Sequence, residues 1–300
     1  MKIINRFLTI LTLTLLLASC KSEEVTPDNR ATPEINQKSV IISNDTFFRA
    51  TGGTTNILFK GGTNVVFDGQ GKVITGTIKN DNFFRATGGT TNIRFRGGTE
   101  VTFQVGDQGK VLIGTLDADT FLRATGGTTN IRFREGTVVE FQPNDGGKVL
   151  KGTLDADTFF RATGGTTNIR FREGTVVEFQ PNDGGKVLKG ILDADTFFRA
   201  TGGTTNIRFR AGTLIEFQPN DGGKVFRGFL DADTFFRATG GTTNIRFREG
   251  TQATFGVGFQ GKIRKGTLDS NTFLRPSGSN TNILFNAGTV VTFDNFGKVL

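Results

Sequence analysis

The chain has no His, no Trp and no Tyr, and only one Cys and one Met in 300 residues. Each absence removes a class of chemistry. Without His there is no imidazole base and no His-assisted nucleophile, and a single Cys excludes an internal disulfide, a thiol pair and a Cys-cluster zinc site. Catalysis would have to run on carboxylates, Lys, Arg and hydroxyls alone. The lack of Trp and Tyr also argues against an aromatic sugar-binding platform with polar tips. What is abundant is Gly, at 42, and Phe, at 31. A skew this strong is typical of a duplicated unit. The net charge is +8, and removing Lys2 and Arg6 with residues 1–19 leaves +6 for the remainder. That excess favours anionic partners such as acidic glycans, lipopolysaccharide or teichoic-type polymers.

The N-terminus reads as an export signal. Lys2 and Arg6 precede an apolar run from Phe7 to Leu17, the length of a signal-peptide core and too short for an ordinary transmembrane helix. It ends in Leu17-Ala18-Ser19-Cys20, which resembles the lipobox of bacterial lipoproteins. There cleavage precedes the Cys and its thiol is acylated. The following Lys21-Ser22-Glu23-Glu24 is similar to the short surface-export tag of Bacteroidota-type lipoproteins. The resemblance implies lipidation at Cys20, membrane attachment through that lipid, and a surface-exposed protein of the outer membrane. Residues 1–19 are then the signal peptide, 20–36 the lipidated Cys with a flexible tether containing Pro27 and Pro33, and 37–300 a repeat array. An exported protein seldom meets a dedicated nucleic-acid target, so nucleic acid is not expected as a partner.

The motif Arg-Ala-Thr-Gly-Gly starts at Arg49, Arg85, Arg123, Arg161, Arg199 and Arg237, with a degenerate copy at Arg275. This gives seven units of about 38 residues. Residues 116–153 and 154–191 differ only at Leu122 against Phe160 and Thr153 against Ile191. Within 154–191, four short apolar segments alternate with turns. The segments are Thr158–Ala162, Asn168–Arg172, Thr175–Phe179 and Lys186–Gly190, and the turns are rich in Gly, Asn and Asp. Such a pattern predicts short strands and no helix, hence an all-β fold.

Four strands per unit and seven units also describe a seven-bladed β-propeller, and an array that starts and stops part-way through a unit suits ring closure. Against it, Ile169 and Phe171 alternate with Asn168, Arg170 and Arg172, which predicts one buried and one wet face. A β-solenoid accommodates such strands, with Phe141, Phe179 and Phe217 stacked as a ladder. The run Val66 to Gly76 followed by Thr91-Asn92-Ile93-Arg94-Phe95 resembles the rhythm of right-handed parallel β-helices of the pectin-lyase-like superfamily. A parallel β-helix is therefore the expected fold, with the propeller as alternative. Whether 38 residues form one coil or two of about 19 stays open, giving an array of roughly 34 Å or 67 Å.

The resemblance also directs attention to carboxylates, because enzymes of that group work with paired acids or carboxylate-bound Ca²⁺. Asp155 and Asp157, with copies at Asp117/Asp119, Asp193/Asp195 and Asp231/Asp233, are the weak Ca²⁺ candidates. Repetition in equivalent turns points instead to turn chemistry, so no catalytic residue, cofactor or metal is expected. Arg123, Arg132, Arg134, Arg161, Arg170, Arg172, Arg199, Arg208 and Arg210 would form basic columns. They repel one another unless an anionic polymer lies along them or carboxylates intervene, for which Glu135, Glu140, Glu173 and Glu178 are the candidates. Thr163, Thr166 and Thr167 suggest either an ordinary turn or a hydroxyl array like that of ice-binding solenoids. Phe159 and Phe160 are expected in the core. The functional expectation is a non-catalytic surface repeat protein: an adhesin contacting another cell surface, a spacer, or a binder of anionic polysaccharide. A β-helix polysaccharide lyase or hydrolase is the alternative, and an ice-binding solenoid comes below it.

Overall fold

A computed structural model describes residues 37–300. The expected signal peptide, Cys20 and tether lie outside the described residues. The four apolar segments of the unit 154–191 form strands Thr158–Arg161, Asn168–Phe171, Val176–Phe179 and Val187–Ile191, and the same four recur through the array. No helix occurs among the described residues.

Two strands of each unit join one continuous 14-stranded sheet, and the other two form a separate hairpin. The hairpin Thr158–Arg161/Asn168–Phe171 is antiparallel, with Phe159 opposite Arg170 and Arg161 opposite Asn168. The sheet strands are antiparallel too, both within a unit and between units. This corrects the parallel β-helix. The reason lies in the loop 180–186, where Asn182, Gly184 and Gly185 all adopt positive φ, at 59°, 64° and 78°. Left-handed residues that close together reverse the chain inside the sheet instead of bending it toward a second one. The propeller is also excluded. The sheet runs open from Lys38–Ile41 to Val290–Thr292 rather than dividing into blades. Because each unit supplies two sheet strands, it advances the array by about 9.6 Å, the longer of the two expected dimensions.

The hairpins cover one face of the sheet, and the apolar core lies between the layers. Val177, Phe179, Val187 and Leu192 enter it from the sheet side, and Phe160, Ala162, Ile169 and Phe171 from the hairpin side. Both margins of the hairpin layer are tied down by bridges, Ala162 with Val187 and Phe171 with Leu192. A bulge shapes the sheet strand: Glu178 pairs with Lys189 and Phe179 with Val187, leaving Leu188 extra. Val187 and Gly190 thereby both face inward, although they are three residues apart. Gly190 is required there, since a Cβ would stand 2.7 Å from the Phe171 ring.

The expected Phe ladder is interleaved rather than simple. Phe179 takes an edge-on contact from Phe160 of its own unit, at 5.4 Å and 81°, and another from Phe133 of the preceding unit, at 6.5 Å and 83°. Such edge-to-face pairs add to the burial energy of each ring and link neighbouring units. The units also touch through backbone. The Gly223 N–H donates to the Thr163 carbonyl at 2.9 Å, and a Cβ on Gly164 would stand 2.7 Å from the Gly222 nitrogen. The paired glycines thus let one unit's turn seat against the next.

Candidate functional site: the outer face of the hairpins

Alternation in a hairpin strand sends Phe160 inward and Phe159 and Arg161 outward, while its partner sends Ile169 and Phe171 inward and Asn168 and Arg170 outward. The outer face of each hairpin therefore presents Phe159, Arg161, Asn168 and Arg170. The four recur as Phe83, Arg85, Asn92, Arg94 and in three further central units. In the first and last units Leu58 and Leu284 replace the second Arg. Phe159 is 64% exposed, and its equivalents lie between 62% and 67%. Only Phe160 of the Phe159-Phe160 pair joins the core, so the expectation holds for one ring and fails for its neighbour. Consecutive aromatic residues on one strand must point to opposite faces.

The arginines divide into three groups. Arg170 is clamped, with Nη2 2.6 Å from Asp157 of its own unit and Nε 3.2 Å from Asp193 of the next. Arg132 bridges Asp119 and Asp155 in the same way, and Arg208 bridges Asp195 and Asp231. The counter-charges to this column are thus the Asp-Ala-Asp carboxylates, not the glutamates expected. Glu178 instead pairs with Lys189 at 2.8 Å on the far face of the long sheet. There Glu140, Lys151, Glu178, Lys189, Glu216 and Arg227 alternate across neighbouring strands, so opposite charges meet at each step.

Arg134, Arg172 and Arg210 form the second group. They lean across the following unit's turn, with Nη1 at 2.9, 3.4 and 3.0 Å from where a Cβ would stand on Gly174, Gly212 and Gly250. The third group is Arg123, Arg161 and Arg199, with Arg85 and Arg237. These are exposed, and among the described residues no carboxylate pairs with any of them, although every Arg170-type neighbour on the same hairpin has two. The first 36 residues carry four basic and four acidic side chains. The whole excess of +8 therefore belongs to the array.

Asp155 and Asp157, the calcium candidates, are both engaged. Asp155 accepts from Arg132 at 3.1 Å. Asp157 accepts the Glu173 backbone N–H at 2.7 Å as well as Arg170, and that N–H, followed by the Arg170 charge, holds its carboxyl below the usual carboxylate range. Among the described residues no cluster of three acidic or Cys side chains is arranged to hold a metal ion.

A second carboxylate was hidden inside what reads as loop punctuation. Asp183 accepts from the Thr163 hydroxyl at 2.7 Å, the Gly164 N–H at 2.9 Å and Lys186 at 3.0 Å. Partial burial pushes its pKa up, but these donors outweigh it and the net shift is downward. Asp107, Asp145 and Asp221 do the same. Phe259 stands at the equivalent position one unit later, and there Thr239 turns to the Asp294 carbonyl instead. A signal was available in the repeated Thr and Asp 20 residues apart. Thr163 is thus buried, and only Thr166 and Thr167 are exposed, so the three threonines do not share a flat surface.

Between consecutive hairpins lies a shallow groove, recurring along the array. One such groove is lined by Thr166 and Thr167 of one unit and by Phe197, Arg199, Asn206 and Lys224 of the next. Hydroxyls, an amide, an exposed aromatic ring and a guanidinium with no acid partner among the described residues therefore converge at the same place in five successive grooves. No protein-family model matches the chain, and no curated protein is significantly similar to it.

Proposed function

We propose that this chain is a lipid-anchored, non-catalytic surface protein of the outer membrane whose hairpin face binds an anionic polysaccharide. The observation that carries the reading is the division among the arginines. The Arg170 column is more than offset by two Asp per unit, whereas the Arg161 column beside it has no acid partner among the described residues. Exposed guanidiniums repeating about every 9.6 Å without an acid partner form a positive track that a polyanion can follow without displacing an ion pair. The Asp carboxylates that an enzyme of this kind would need already hold arginines, a buried Thr and backbone N–H groups, which supports a structural role for them. Attachment through Cys20 would display the array outside the cell, where acidic glycans and neighbouring cells are the available partners.

The test is salt-graded elution from immobilised polygalacturonate. The chain should be retained beyond a control protein of equal net charge, and Arg123→Gln/Arg161→Gln/Arg199→Gln should elute at lower salt. Retention equal to the control would contradict the proposal. Loss of polygalacturonate viscosity on adding pure protein would contradict its non-catalytic part.

A further inference from the structure

The hairpin face is regular in spacing as well as in charge. We propose that its ligand is a linear polysaccharide bearing one carboxylate or sulfate per disaccharide, lying parallel to the array axis so that each disaccharide meets one protein unit. This deepens the polyanion reading and rests on it.

Three observations point the same way. Each unit places two strands in the sheet, so equivalent atoms of neighbouring hairpins are offset by about 9.6 Å. That is close to the length of a disaccharide in an extended sugar chain, and ligand and protein therefore stay in phase over several units. Within the groove each unit also offers one un-neutralised guanidinium, Arg199 beside Phe197, because the groove's Lys224 is taken by Asp221 and Arg208 on the same hairpin by Asp195 and Asp231. One anionic group per disaccharide satisfies that demand without excess repulsion. Finally, the groove pairs Thr166, Thr167 and Asn206 with the exposed ring of Phe197, matching sugar hydroxyls with hydrogen-bonding groups and sugar C–H groups with an apolar aromatic surface. A polyphosphate carries its charges much more closely and offers no C–H face to the ring, and a nucleic-acid duplex places a charge about every 3.4 Å along each strand, well below the spacing of the guanidiniums.

Isothermal titration of the full chain with hyaluronan oligosaccharides of increasing length, which carry one carboxylate per disaccharide, tests this. Affinity should rise with each added disaccharide until the central units are spanned, as expected of multivalent binding. Arg123→Gln/Arg161→Gln/Arg199→Gln should weaken the longest oligosaccharide about tenfold, and Arg134→Gln/Arg172→Gln/Arg210→Gln, with the same charge change, less than about threefold. Phe121→Ser/Phe159→Ser/Phe197→Ser should weaken it without altering the salt dependence. All these side chains are exposed, and unchanged far-UV circular dichroism verifies the fold. If inorganic polyphosphate binds as tightly at equal charge, or if the two Arg triples weaken binding equally, the register is wrong while the polyanion face stands. If neither hyaluronan nor polyphosphate nor polygalacturonate binds, the underlying reading fails as well.

Discussion

Replacing Asp183 with Ala tests how the units hold their turns. The carboxylate is partly buried, with 20% of its side chain exposed, and it accepts three hydrogen bonds, one from the hydroxyl of fully buried Thr163. Its removal deletes charge-assisted bonds and leaves a buried hydroxyl without an acceptor, a combined cost of about 2–4 kcal/mol. Thr163→Val removes one donor but leaves Asp183 with the Gly164 N–H and Lys186, so it should cost less, about 1–2 kcal/mol. In the double variant the costs should not add, and the shortfall should be about 1 kcal/mol. The chain has no Trp or Tyr, so urea unfolding is best followed by far-UV circular dichroism. Repeat arrays unfold by nearest-neighbour coupling, so the four proteins should be fitted with one shared interface energy. A cost below about 0.5 kcal/mol for Asp183→Ala, the range of ordinary surface changes, or strict additivity would refute this role for the carboxylate.

Acid should expose the same contacts. Asp107, Asp145, Asp183 and Asp221 are held below the usual carboxylate range in the folded state, so the stability they contribute is present above the unfolded value near pH 4 and is lost as the pH falls through their folded values. Thermal midpoints should be flat from neutral pH to about pH 5 and fall below about pH 4, less steeply when the four are replaced by Asn. Phe160→Ala should cost about 3–5 kcal/mol and Phe159→Ala less than about 0.5 kcal/mol, as measured by urea unfolding, since the first is buried and the second faces solvent. Gly190→Ala should cost about 1–3 kcal/mol, because its Cβ must displace the Phe171 ring. Cys20→Ala should abolish radiolabelled fatty-acid incorporation and move the protein from the membrane to the soluble fraction.

Much of the array was legible from punctuation. The strand positions in residues 154–191 fall within a residue or two of the apolar segments, because period-2 alternation and Gly-Asn-Asp turns are local signals. The all-β class follows from them. Direction was not legible: whether the chain bends or reverses after Phe179 depends on the left-handed backbone of Asn182, Gly184 and Gly185, and the same residue types serve either turn. The bulge at Leu188 was hidden for a related reason. It breaks the alternation on which a reading of faces depends, and it moves Leu188 away from the core. The basic columns were visible as repeated residues, but their division was not, since Arg161 and Arg170 differ in the carboxylates that their own and the following unit bring to them through the fold.

Arginine footprinting tests the account most directly. The full chain is treated with a dicarbonyl reagent with and without polygalacturonate, and modification is read by mass spectrometry. Near-identical units are an advantage, because peptides then report position within the repeat. The Arg161 position should react readily in the free protein and become protected by the polysaccharide. The Arg170 position, already held by two Asp, should react slowly in both states. Protection confined to Arg227 on the far face of the sheet, with the Arg161 position unchanged, would contradict the account.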